Sequence, residues 1–268
     1  MESANILNIS CKKVFCAKYQ PILTVHNNLK SFPKYYLYAI RLVYKYSNKI
    51  IAVSNGVRND IIEQNINLEQ IIEVIYNPVD DKFFTQVRTP DKKRKIKRLI
   101  AVGSLSHQKG FDLLLSSIAI LQNNTNRFHL DIYGTGPLKA YLEEKIISLR
   151  LSDLVSLRGY EKHIEAKFAS SDIFILSSRY EGFGNVLVEA MAAGCFPISF
   201  DISHGPSEIM LNTQGLLVEA GNTFALAETI ERVINPNFHI NFEMRDALKS
   251  RAYHFHINQF EKSWLNLF

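Results

Sequence analysis

The chain has 268 residues, 47% hydrophobic and 21% charged. At roughly 150 residues per domain that gives one large or two small folded domains and excludes a disordered or low-complexity chain. With 31 basic and 26 acidic residues the formal charge is +5, which suits anionic partners such as nucleotides or phospholipid surfaces. The three cysteines, Cys11, Cys16 and Cys195, are too few for a disulfide framework and form no zinc pattern; with no signal-like or membrane-spanning apolar run, a cytoplasmic, reducing setting is expected.

In chain order, the first 85 residues read as a small unit with strands expected over 21–25, 49–53 and 72–76. Lys34, Tyr38, Arg41, Lys45 and Lys49 recur at spacings of 4, 3, 4 and 4, which predicts one helix with a basic face and Tyr36, Ile40 and Val43 opposite. Such a face suits solvent or an anionic lipid surface. In Asp91-Lys-Lys-Arg-Lys-Ile-Lys-Arg98 like charges repel, which predicts an extended linker over 91–97. Its charges carry no interleaved aromatics, and no nucleic-acid-binding motif occurs elsewhere, so nucleic acid is not an expected partner.

From Arg98 onward, strands are expected over 98–102, 128–133, 155–158, 173–176, 195–200 and 215–218. Helices are expected over 111–122, 137–149, 164–169, 185–193 and 223–234, with a closing helix over 257–267. This alternation is the signature of an α/β doubly wound parallel sheet. The expected organisation is a smaller Rossmann-like domain over 1–90, a larger Rossmann-like domain over 98–250, and a C-terminal helix over 251–268.

The stretch Ser178-Arg-Tyr-Glu181-Gly-Phe-Gly184-Asn-Val-Leu-Val-Glu189 follows a buried strand and opens a helix. Gly182 and Gly184 let backbone amides approach a ligand, and the free N–H groups of the new helix favour an anion. Glu189 lies four residues beyond Asn185, about one turn along the helix, where a carboxylate can accept from hydroxyls of a sugar attached to a phosphate there. Lys109 has a warrant of its own, because a cation stabilises negative charge that develops beside it.

These residues resemble the Glu-x7-Glu motif of family 4 retaining glycosyltransferases, which have the GT-B fold of two Rossmann-like domains. Ala101-Val-Gly103-Ser104-Leu-Ser-His-Gln-Lys109-Gly110 resembles the first loop of that family's donor domain, and Ile132-Tyr-Gly134-Thr-Gly136-Pro137 the next glycine turn. Ile75-Tyr-Asn77-Pro-Val-Asp80 resembles the segment leaving the N-terminal domain. The resemblance implies that Glu181 binds the transferred sugar, Glu189 the ribose, and Lys109 with the amides of Gly182, Phe183, Gly184, Asn185 and Val186 the diphosphate. Gly103 and Ser104 complete the donor side, and His26, at the strand end Thr24-Val25-His26, faces the donor sugar across the cleft. Glu181, Lys109 and His26 are the expected catalytic residues. The loop Asp201-Ile-Ser-His204-Gly205-Pro206 either resembles the loop beside the donor sugar or is a plain strand-to-helix turn.

The implied reaction moves a hexose or N-acetylhexosamine from a nucleotide-diphosphate sugar, UDP-linked by expectation, to a glycan or lipid-linked glycan in surface polysaccharide synthesis, with retained configuration. The departing phosphate oxygen takes the acceptor's proton. No Asp-x-Asp occurs, so neither a metal nor another cofactor is expected, and the implied location is cytoplasmic, peripheral at the inner membrane face. Two departures stand out. Ser104 occupies a position where the family usually has Arg, with Arg179 as a nearby replacement, and about half of the family's N-terminal domain has no counterpart. A non-catalytic nucleotide-sugar-binding fragment, or degraded glycosyltransferase, is therefore the alternative. A GT-B epimerase fits less well, since its extra acid and base residues cannot be assigned.

Overall fold

The computed structural model describes residues 2–14, 18–29, 32–64, 66–87, 96–121 and 128–267. Most of the expected 91–97 linker, residues 91–95, lies outside them. The first unit is a parallel sheet in the order β1-β2-β3, formed by Ile22–Val25, Lys49–Ala52 and Ile72–Val74. Helix α1 (Glu2–Val14) was not expected from the sequence. It lies by the open edge of β1, where Asn5 Nδ2 donates to the Thr24 carbonyl at 2.8 Å and Ile9 enters the core. Helices α2 (Lys34–Val43) and α3 (Asn55–Gln64) connect the strands.

The single basic helix expected through Lys49 is corrected. Helix α2 ends at Val43, because Tyr44 is fully buried and a tight 3-10 turn, Tyr44–Tyr46, carries the chain into β2. Lys49 lies in β2 and pairs with Glu73 at 2.5 Å. Lys34, Tyr38 and Arg41 remain together on α2.

A short helix, α4 (Asp81–Phe84), precedes the second unit, whose six strands are all parallel in the order β6-β5-β4-β7-β8-β9. They are β4 (Lys97–Val102), β5 (Phe128–Tyr133), β6 (Val155–Gly159), β7 (Ile173–Leu176), β8 (Phe196–Asp201) and β9 (Leu216–Glu219). Numbered within the unit this is 3-2-1-4-5-6, the order of a dinucleotide-type doubly wound sheet. Strand β7 is buried along its whole length, as a parallel strand covered by helices on both faces must be. The covering helices are α5 (Phe111–Ile120), α6 (Lys139–Ser148), α7 (Ile164–Ser170), α8 (Asn185–Ala192), α9 (Pro206–Ile209) and α10 (Thr223–Ile234). Asn222 caps α10 through the Ala225 amide at 3.0 Å.

Helix α11 (Phe242–Tyr253), also absent from the sequence reading, packs against α8, and Arg245 bonds the Gly194 carbonyl. Before α12 (Ile257–Leu265) the chain meets the segment leaving the first sheet. Val79 N–H donates to Phe255 O at 2.8 Å, and Ile257 N–H to Val79 O at 3.2 Å. No helix among the described residues is long and apolar enough to cross a membrane.

Candidate donor-binding site

The loops at the C-terminal ends of the two sheets meet. Gly182, after β7, lies so close to the end of β1 that a Cβ there would stand 1.9 Å from the His26 carbonyl oxygen. Ser54, just after β2, donates its hydroxyl to Gly182 O at 2.7 Å. In a doubly wound sheet the crevice beyond strands 1 and 4, here β4 and β7, is the topological switch point where ligands bind. A cavity of about 360 Å³ opens there, walled by His26, Asn77, Lys109, Glu181, the glycine loop and Glu189. A second cavity, about 580 Å³, shares Val102, Gly103 and Glu189 with the first and continues past Ser104, Lys82, Tyr133 and Tyr160.

On the wall of the first cavity Lys109 Nζ donates to Glu181 Oε1 at 2.6 Å, with the side chains 16% and 8% exposed. Ser178 Oγ donates to the same oxygen at 2.7 Å. Two charge-assisted bonds thus fix one carboxylate oxygen, and among the described residues Oε2 has no partner. Gly184, at φ +101°, turns the chain into α8, which begins without a side-chain cap and without an acidic residue in its first turn. Its leading amides and dipole can therefore hold an anion, and Lys109 lines the same cavity. Asn77 Nδ2 reaches Asn185 Oδ1 at 3.1 Å, tying the first residue of α8 to the segment leaving the first sheet.

Glu189 stands one turn into α8 and is half-buried. Burial pushes its carboxyl up to about 7, against the pull of Lys82 and Lys109. In the ligand-free protein its contribution to stability is therefore full below the ordinary carboxylate value and is lost as pH rises to about 7.

Arg179 does not replace the cation missing at Ser104. Its guanidinium is held by Asp112 in two bonds of 2.8 and 2.7 Å and by His107 O at 2.8 Å, and this pairing holds the Asp112 carboxyl below its usual range. Ser104 instead bonds Ser106, Oγ to Oγ, at 2.9 Å on the cavity wall. His204 is buried and points into the first unit. Its Nδ1 accepts from Asn28 at 3.2 Å and Ser203 at 2.5 Å, leaving Nε2–H to donate to Asp60 Oδ2 at 3.1 Å. The β8–α9 loop is thus a clasp between the units. Glu208 in α9 adds to it, accepting from the Asn55 amide at 3.1 Å and side chain at 2.8 Å.

All the residues expected from the sequence, His26, Gly103, Ser104, Lys109, Glu181, Gly182, Phe183, Gly184, Asn185, Val186 and Glu189, line one or both cavities. Sequence reading missed Asn77, Ser178 and Lys82 as site residues. Asn77 and Ser178 lay inside the quoted motifs, whereas Lys82 gave no signal, because only the fold brings α4 to the cavity.

Comparison with known proteins agrees with this geometry. The family model described as glycosyl transferases group 1 matches residues 82–255. The N-acetylgalactosamine-N,N'-diacetylbacillosaminyl-diphospho-undecaprenol 4-alpha-N-acetylgalactosaminyltransferase of Campylobacter jejuni is 28% identical over 86% of this chain and 61% of its own length. The poly(ribitol-phosphate) alpha-N-acetylglucosaminyltransferase of Staphylococcus aureus is 26% identical over 82% of this chain and 44% of its own length. The chain thus spans about half of the length of these relatives. The crystal structure of Anabaena HepE in complex with UDP and glucose superposes with a TM-score of 0.85 at 19% identity, covering 100% of this chain and 75% of that one. TarM superposes with a TM-score of 0.79 at 25% identity, over 96% of this chain and 52% of its own. The GT-B type α/β fold expected from the sequence is the fold these structures share.

Proposed function

From the premise that the chain belongs to the glycosyl transferases group 1 family, we propose that it binds a UDP-sugar and transfers a hexose or N-acetylhexosamine, with retention, to a lipid-linked or polymeric glycan. The observation that carries this reading is the Lys109–Glu181 pair set against the uncapped start of α8. In it, the α8 amides and Lys109 hold the diphosphate and neutralise charge as it leaves. Glu181 Oε2 accepts from the sugar's hydroxyls, His26 closes the sugar from the opposite sheet, and Glu189 accepts from the ribose. The leaving phosphate oxygen takes the acceptor's proton, and neither metal nor other cofactor is assigned a role. Three of the curated relatives are named for acceptors that carry diphospho-undecaprenol or are poly(ribitol-phosphate), which supports an acceptor of that kind.

A peripheral position at the cytoplasmic face of an anionic membrane belongs to the same reading. Residues 1–50 hold eight Lys or Arg against the single acidic residue Glu2, and Leu7, Tyr35 and Tyr38 are exposed on α1 and α2. Basic residues interspersed with exposed aromatic and aliphatic side chains favour an anionic lipid interface.

The test is calorimetric titration with UDP, GDP and ADP, followed by turnover assays with UDP-sugars and lipid-linked acceptors. Selective UDP binding with turnover is the expected result. Binding without turnover would favour the non-catalytic module, and no nucleotide binding by a folded chain would overturn the donor reading.

The Glu189 carboxyl gives this reading a pH signature. Ribose hydroxyls donate to a carboxylate but not equally to a carboxylic acid, so UDP affinity should rise between about pH 6 and 8, with proton release on binding. Glu189→Gln should abolish both the rise and the proton release, measured in buffers of different ionisation enthalpy. Glu189→Ala should weaken UDP binding by about 1–3 kcal/mol. A pH-independent UDP affinity in the unmodified chain would remove Glu189 from the ribose site.

A further inference from the structure

The geometry points to Lys82, on the short helix between the two units, as a second cation for the donor's diphosphate, acting beside Lys109. The inference rests on the UDP-donor reading above. Lys82 lines the 580 Å³ cavity with Gly103, Ser104 and Glu189, and Gly103 and Glu189 are also walls of the cavity that holds Lys109. Lys82 thus lines the larger cavity, whose wall meets that of the smaller one at Val102, Gly103 and Glu189.

The charge balance at this point calls for such a group. A diphosphate carries more than one negative charge, and Lys109 already faces the Glu181 carboxylate at 2.6 Å. Ser104 brings a hydroxyl to the wall, and Arg179 is committed to Asp112. Lys82, in contrast, makes no ion pair among the described residues, and its ammonium rests 5.2 Å from the centre of the Phe83 ring. Lys162 also lines the larger cavity, but the charges felt by the Glu189 carboxyl come from Lys82 and Lys109. Helix α4, which carries Lys82, also packs against α8, the helix that carries Glu189.

Helix α4 is built to present this side chain. Asp80 caps it through the Lys82 amide at 2.9 Å, Asp81 meets His256 Nε2 at 3.2 Å, and Phe83 is buried beneath it. The backbone is anchored on both flanks while the Lys82 stem remains exposed to swing toward a ligand. Because α4 belongs to the segment that joins the units, a phosphate held by Lys82 and by α8 together would bind that segment to the second sheet.

The experiment compares Lys82→Met and Lys82→Arg with the unmodified chain, titrating UDP by calorimetry and uridine by NMR shift perturbation. Lys82→Met should weaken UDP about tenfold, equivalent to about 1.4 kcal/mol, and leave uridine unchanged. Lys82→Arg, which keeps the charge, should retain UDP affinity within about threefold. UDP binding by Lys82→Met equal to that of the unmodified chain overturns the inference. So does an equal loss of UDP and uridine, which would mark a structural effect. If the unmodified chain binds neither compound, the donor reading itself fails and takes this inference with it.

Discussion

Gly182→Ala is expected to lower both stability and nucleotide binding, and the reason is space rather than backbone strain. An added Cβ would stand 1.9 Å from His26 O, 2.8 Å from His26 C and 3.2 Å from the Asn27 Cα, all backbone atoms that cannot rotate away. The end of β1 and the β7 loop would have to separate by more than 1 Å, about the shortfall from ordinary van der Waals contact. That separation pulls Gly182 O from the Ser54 hydroxyl and moves His26 away from Glu181. The cost should be near the upper end of overpacking, about 3 kcal/mol. Gly159→Ala is the matching control. Gly159 has φ +72° with nothing within 4 Å of the added Cβ, so it incurs only left-handed strain of about 1 kcal/mol. Thermal melts should show a larger fall for Gly182→Ala than for Gly159→Ala, and only Gly182→Ala should weaken UDP binding. Equal melting temperatures and equal UDP affinities in the two variants would show that the units do not meet tightly at Gly182.

Legibility in the sequence followed the strength of the local pattern. The second sheet could be read strand by strand because its central strands are buried on both faces, so that Ile173–Leu176 is an unbroken apolar run. Glycines marked the site for the same local reason, since each sits where a backbone turns or approaches another. Helices α1 and α11 were not legible. Helix α1 mixes Asn5, Asn8 and Ser10 with a few apolar residues, and α11 buries only Leu248 and Ala252. Both depend on tertiary bonds, Asn5 to Thr24 O and Arg245 to Gly194 O, that no periodicity announces. The basic stripe misled in the opposite way. Lysines at helical spacing continued past the point where burying Tyr44 ends the helix. Lys82 and the His204–Asp60 clasp required the fold, because their surroundings come from residues far away in the chain, whereas Ser178 bonds Glu181 only three residues on. In each case a short polar segment acquires its meaning from the element that packs on it.

Lys109→Met is expected to lower turnover by about 10²–10³, the usual cost of removing one preorganised donor from a developing anion. The same change also leaves Glu181, 8% exposed, with only the Ser178 hydroxyl on its bonded oxygen. Breaking a buried ion pair from one side destabilises by about 3–5 kcal/mol, because the remaining charge is left desolvated. Loss of activity in the single variant would therefore confuse chemistry with folding. The double variant Lys109→Met with Glu181→Gln separates them. Replacing both charges removes the stranded carboxylate, so thermal stability should recover most of the loss while turnover stays low. Glu181→Gln alone should reduce kcat more than it reduces binding of UDP, since in this reading Glu181 contacts the sugar and not the nucleotide. The cycle of single and double variants, read once as melting temperature and once as kcat, gives two coupling energies that need not agree. A large coupling in stability, with a kcat in the double variant well below that of Glu181→Gln alone, assigns Lys109 to the leaving diphosphate. Recovery of kcat in parallel with stability would reduce the pair to a buried structural contact.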